Sequence, residues 1–355
     1  MLIQNLHLCS MRLRKFFVVL VDVLLLPAFV FALFNISLLV YGLKMGKGQL
    51  DIVYGARQIS EVLVDTAVSD SVKTKLKLIL EIRAFAFDKL GLKRNDNYSA
   101  FYDQKGKPAI YVVSACEKFS LTPYRWSYSV LGKMPYKGFF EKAPAEAEKQ
   151  RLIAEGYDAD LGGAAGWSTL GWFPDPVLSQ MLNYNEGDLA ELIIHELTHG
   201  TIFVTDNVEY NENLASFVGI KGAIEFLKLK YGENSPQLKT YLNGMVADRN
   251  RELFMLSAAK QLDSLFKSFP AKIDTTTGLA KRNEVYSRIV EQAREQKIGD
   301  SLYPVRLKKR LDANGNTVFM HALRYGEKQD DFEKEFSRFA NVAMYIQWLK
   351  EKFGK

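Results

Sequence analysis

The sequence predicts an α+β protein: one N-terminal membrane-spanning helix, then a mainly helical domain with a small sheet. Three observations carry that expectation. Residues 16–43 form one apolar run. The segments 108–132 and 166–173 switch to β-branched and aromatic residues bounded by Gly and Pro. From about residue 211 onward the pattern is that of long helices, with no obvious linker before it.

Composition narrows the class. The 355 residues, 48% hydrophobic and 25% charged, make an ordinary globular chain rather than a disordered one. The formal net charge of +6 is mild, and Lys and Arg are interleaved with Asp and Glu. No basic block with interleaved aromatics points to nucleic acid, and "RLKKR" at 306–310 reads as a solvated face. Cys9 and Cys116 fall on either side of the apolar run, so neither a disulfide framework nor a thiolate metal site is expected. Cys116 reads as a small buried residue.

Element by element, the first is "FFVVLVDVLLLPAFVFALFNISLLVYGL", residues 16–43. A helix rises 1.5 Å per residue and about 20 residues cross the hydrocarbon core, so this run is long enough. Arg12, Arg14 and Lys15 precede it and Lys44 and Lys47 come after it. That balance predicts residues 1–15 in the cytoplasm and residues 44–355 on the extracytoplasmic, periplasmic side. The run exceeds a typical signal-peptide core, and no A-x-A-like site comes after it, which favours an uncleaved single-pass anchor. A cleaved signal peptide and a buried core helix are the alternatives; Asp22 and Pro27 are awkward in lipid.

Residues 50–93 read as helical, with Val72, Leu76, Ile79, Leu80 and Phe87 at helical spacing and Gly91 as a stop. "PAIYVVSA" (108–115) and "YRWSYSVLG" (124–132) read as strands, 141–156 as a charged amphipathic helix, and "GWSTLGWF" (166–173) as another strand. Asp175-Pro176-Val177 then reads as a helix start with Pro176 in the first turn, and "LDANGNTV" near 311 as a turn.

The helix at 186–200 carries the chemistry. Asn185 is its expected N-cap, Glu186 and Asp188 suit its first turn, and Leu189, Leu192, Ile193 and Leu197 form an apolar stripe. Inside it stands HELTH. His195 and His199, four apart, share one face, so their imidazoles can bind a single tetrahedral Zn2+. Glu196 lies beside the first of them, where a general base could take a proton from a metal-bound water. A bare HExxH is also compatible with two satisfied histidines. But only four histidines exist here, and the strongly apolar flanks leave this pair in need of partners. A third ligand is expected from "EYNENLASFVG" (209–219): Glu212 first, Glu209 as the runner-up. The Thr205-Asp206-Asn207 turn can reverse the chain and lay the second helix alongside the first, while Gly200 allows the first to end.

These motifs resemble the thermolysin-like zincins whose third ligand is a glutamate, with His195, Glu196, His199, Asn211 and Glu212 on the matching positions. Two features depart: the gap before Glu212 is short, and Ser216 stands where those proteins carry an Asp. A longer resemblance covers residues from about 50 to at least 225, and weakly to the end. "LKLILEIRAFAFDKLGL", "YSVLGKMPYKGFF", "STLGWFPDPVLSQMLNY", "LAELIIHELTH" and "YNENLASFVG", in that order, resemble the bacterial family described as putative aminopeptidases. Members often carry cysteines where Ser127 and Lys133 stand here.

The resemblance implies a zincin-like peptidase domain over 44–355, a peptide substrate and one Zn2+ per chain held by His195, His199 and Glu212. It also implies a substrate-lining edge strand at Ser168, Thr169, Leu170 and Gly171, and a transition-state electrophile at Tyr325, with His321 nearby. Glu191 and Glu209 are candidates to hold a substrate amine. The expected function is a membrane-anchored zinc metallopeptidase, an aminopeptidase with Glu196 as general base. A zinc endopeptidase and a non-catalytic extracytoplasmic binding module are the alternatives. A structural zinc would need a fourth protein ligand, and neither His7 nor His321 nor a cysteine fits that place well.

Overall fold

The computed structural model describes residues 36–128, 132–163, 173–205, 207–320 and 329–353. Backbone contacts divide the chain into residues 1–50 and 51–355. In the first unit the described residues belong to helix α1 (Ile36–Gly55).

The expected transmembrane helix is corrected here. Residues 16–35 lie outside the described residues. The described remainder does not stop at the end of the apolar run: α1 continues through Lys44, Lys47 and Asp51, interspersed with Gly42, Gly46 and Gly48. No helix among the described residues is long and apolar enough to cross a membrane. The single-pass anchoring and the periplasmic placement that depended on it are therefore not supported.

Of residues 50–93, expected to be helical throughout, the second unit forms α2 (Ile59–Val64) and α3 (Asp70–Asp88), while Arg57–Gln58 is a strand and the residues between and after these helices are not helical. Ser69 caps α3 by accepting from the Val72 N–H, and Leu76, Ile79 and Ile82 are buried along one side. Gly91 lies just past the helix with φ +75°, a conformation that favours glycine.

The described strands are short and form three small sheets rather than one. Strands β1 (Arg57–Gln58), β2 (Ala100–Tyr102) and β8 (Val177–Leu178) make the first. In the second, β3 (Tyr111–Cys116) lies between β6 (Lys137–Phe139) and β7 (Asp158–Gly163). The third is the hairpin of β4 (Trp126–Tyr128) and β5 (Gly132–Met134), in which Ser127 pairs directly with Lys133. Cys116 is buried and free; Cys9 lies outside the described residues.

The helix expected to open at Asp175-Pro176-Val177 is instead β8 and then a 3-10 turn over Ser179–Asn183. Parallel pairing of Val177 and Leu178 with Phe101 and Tyr102 overrides the local helix signal. Gln104 then locks the junction: its N–H donates to Ser179 Oγ, and its Oε1 accepts from the Gln180 N–H.

The remaining described helices are α4 (Lys142–Ala154), α5 (Glu186–His199), α6 (Val208–Tyr231), α7 (Pro236–Lys267), α8 (Thr275–Glu295), α9 (Tyr303–Asn314), α10 (Gln329–Phe336) and α11 (Val342–Phe353). One hydrophobic core joins α3, α5, α6 and α11; a second joins the end of α7 to α8 and α9. On α9, Arg306 and Lys308 of the basic run pair with Asp300 and Asp312.

The segment expected as a turn near 311 has a larger role. Helix α9 ends at Gly315, where a Cβ would collide with the Asp158 carboxylate. The bare glycine admits that buried carboxylate, which accepts from Arg282 (2.7 Å) and from the Asn316 N–H (2.8 Å). Asn316 Nδ2 in turn donates to the carbonyls of Glu117 and Lys118, each at 3.0 Å. Polar groups thus tie β7 and the segment after β3 to the C-terminal helices.

Candidate metal centre

Helix α5 forms as its sequence requires. The Asn185 carboxamide accepts from the Asp188 N–H at 2.9 Å, and Leu189, Ala190, Ile193, Ile194 and Leu197 are buried. The stripe leaves His195 and His199 half-buried on one face, with Nε2 atoms 3.1 Å apart and ring planes at 82°.

Between α5 and α6 the chain reverses direction. Gly200 keeps a helical φ of −73°, so the stop does not come from a left-handed glycine. It comes from the anchoring of the connecting segment. The Asn211 side chain, 4% exposed, accepts from the Val204 N–H and donates to the Val204 carbonyl, both at 2.8 Å. Asn207 caps α6 by accepting from the Tyr210 N–H at 3.2 Å.

Helix α6 then runs antiparallel to α5 in close contact. A Cβ on Gly219 would stand 2.9 Å from the Glu191 carbonyl oxygen and 3.3 Å from His195 Cβ. One on Gly222 would stand 3.0 Å from Ile194 Cδ1. These glycines let the helix axes approach, and Glu212 and Ser216, at spacings of seven and three residues before Gly219, share its face.

That approach assembles three donors. Glu212 Oε2 lies 3.6 Å from His195 Nε2, and its Oε1 lies 3.5 Å from His199 Nε2. Among the described residues, His195, His199 and Glu212 are the group placed to hold a metal ion. Their spacing tests the fit. Ligand atoms about 2.0–2.1 Å from a tetrahedral zinc are separated by about 3.3 Å. The observed 3.1, 3.5 and 3.6 Å bracket that value. Ser216 Oγ lies 3.4 Å from His195 Nδ1, on the side of the ring away from the other donors.

The electrostatics agree with ligand chemistry. Burial, reinforced by His195, lowers the His199 pKa and favours its neutral ring. A hydrogen bond with His195, working against burial, lowers the Glu212 pKa and favours its carboxylate. A neutral imidazole and an ionised carboxylate are the forms that bind a metal. Burial raises the Glu196 pKa; His195 opposes the rise, and Glu212 and Asp175 add to it.

Other expected residues fall elsewhere. Glu209 sits in the first turn of α6, outside the donor group. Glu191 accepts from the Tyr241 hydroxyl at 2.6 Å and packs where Gly219 of α6 comes close. Ser168, Thr169, Leu170 and Gly171, together with His321 and Tyr325, lie outside the described residues.

The structure also brings in residues not expected from the sequence. Tyr98 and Asp175, both buried, share the surroundings of Glu196: the charges of Glu196 and Asp175 add to the burial that raises the Tyr98 pKa. Tyr98 adopts φ +59°, unusual for a buried aromatic residue, and its N–H donates to the Asp175 carbonyl at 2.6 Å. Asn95-Asp96-Asn97 marks a turn in the sequence, but nothing there ties it to Glu196. The spacing Gly219-x-x-Gly222 is visible in the sequence, but nothing there assigns it to a helix contact.

Fold and site together define an α+β protein with three potential metal donors, His195, His199 and Glu212, brought together between two antiparallel helices. A family model described as "Putative aminopeptidase" matches residues 40–353, and the chain belongs to that family. No curated protein and no solved structure matches it.

Proposed function

We propose that this chain is a zinc-dependent aminopeptidase in which His195, His199 and Glu212 hold one Zn2+ and Glu196 is the general base. The observation that supports it most is the donor group: two imidazoles and a carboxylate at edges of 3.1–3.6 Å, the ligand chemistry and size that suit zinc. When bound, the ion supplies Lewis-acid chemistry, activating water and polarising the scissile carbonyl.

The protein's own groups do the rest. Ser216 orients the His195 ring through Nδ1, which leaves Nε2 directed at the other donors. Glu196 is next to His195 on the same helix and is set among buried groups. From there it accepts a proton from the attacking water and returns it to the leaving amine. Among the described residues three protein donors converge, a set that would leave room for water or substrate on a bound ion and so supports a catalytic reading over a closed structural one.

The test is product profiling by mass spectrometry with the full chain on a peptide pool, half of it N-acetylated, and Glu196→Gln as the blank. Release of single N-terminal residues from the free-amine half alone is expected. Internal cuts in both halves would make the protein an endopeptidase. A folded, zinc-loaded sample that cleaves neither half would overturn hydrolysis as its function.

A further inference from the structure

Two exposed apolar side chains stand on the segments that adjoin the donor group in the chain. Phe203 is 60% exposed and Val208 69%. The antiparallel register of α5 and α6 locates them. Glu212 faces His195 and His199, Ser216 faces His195, and Gly219 faces Glu191 and His195. One turn back along α6 from Glu212 is Val208, on the same face and beyond His199. The bonds between Val204 and Asn211 place the segment that carries Phe203 alongside this first part of α6.

This backbone is held rather than frayed. The residue after Phe203 is fixed through both its N–H and its carbonyl by Asn211, and the residue before Val208 caps α6. An apolar pair kept in water on a held backbone beside a candidate reactive centre forgoes the gain of burial. Isolated exposed apolar residues need no explanation; a pair bordering a site does.

We infer that Phe203 and Val208 form the apolar wall of a substrate subsite on the His199 side of the donor group. It takes a large apolar side chain, such as Leu or Phe, from a residue adjoining the scissile bond. This rests on the peptidase reading above and adds the substrate class.

The experiment measures kcat/KM of the full, zinc-loaded chain on two matched peptide series. One varies the N-terminal residue and the other the residue after it, each through Ala, Leu, Phe, Asp and Lys. The wild type is expected to favour Leu or Phe over Ala by about 10-fold or more in one series. The double variant Phe203→Ser/Val208→Ser is expected to cut that ratio about 10-fold, and Phe203→Leu to retain most of it. A wild-type ratio near one in both series overturns the inference. So does a ratio preserved in the double variant, or a fall by one common factor for all peptides. A wild type that cleaves no peptide overturns the peptidase reading itself, and this inference with it.

Discussion

Replacing Gly219 by alanine tests whether helix approach sets the donor geometry. The added Cβ would stand 2.9 Å from the Glu191 carbonyl oxygen, a backbone atom that cannot swing aside, and 3.3 Å from His195 Cβ. Ordinary contact between these atoms needs about 3.5 Å, so α6 must back away from α5 by roughly half an ångström. Glu212 lies seven residues earlier on the same rigid helix, about 10 Å along its axis, and moves with it. Metal–ligand distances tolerate only about 0.2 Å. Overpacking costs about 1–3 kcal/mol, but alanine returns about 1 kcal/mol of helix propensity, so the net change in stability is small and of weak diagnostic value. Metal affinity is the sharper readout. Gly219→Ala is expected to weaken zinc binding about 10–100-fold, measured by competition with a chromophoric chelator. A variant with wild-type zinc affinity would refute the link between helix approach and donor spacing.

The same geometry sets other outcomes. Glu196→Gln should retain zinc and lose about 10²–10⁴ in kcat, measured on the best peptide substrate. Asn211→Ala strips both polar groups of Val204 of their partner and should cost about 1–3 kcal/mol in denaturant unfolding, with weaker zinc binding beside it. Arg282→Met leaves the buried Asp158 carboxylate without its cation and should cost about 3–5 kcal/mol, read as a lowered midpoint of thermal unfolding. Removing the metal with a chelator should abolish hydrolysis while far-ultraviolet circular dichroism stays near that of the loaded protein; collapse of the helical signal would make the site structural.

What the sequence made legible was local. The cap at Asn185, the apolar stripe and the spacing of His195 and His199 all lie within one helix, and the structure reproduces each. Glu212 could be read because its motif comes within a few turns, and the Thr-Asp-Asn turn implied the reversal. What stayed hidden depends on partners distant in sequence or on backbone groups. Helix initiation at Pro176 lost to pairing with Phe101, far upstream. The clamp by Asn211 uses backbone atoms that carry no residue signature. The glycine pair on α6 has meaning only once α5 is laid against it. At the N-terminus the apolar run suggested where a helix should stop, yet α1 continues through "LKMGKGQLD", where Gly46 and Gly48 weaken a helix without ending it and no proline is present.

The most direct test of the proposed metal centre is zinc-edge X-ray absorption on the purified full chain and on Glu212→Ala. One zinc per chain is expected, with two imidazole nitrogens and a carboxylate oxygen at about 2.0–2.1 Å, and loss of the metal in the variant. Sulfur bound to the metal, a fourth protein ligand, or full zinc occupancy in Glu212→Ala would contradict it.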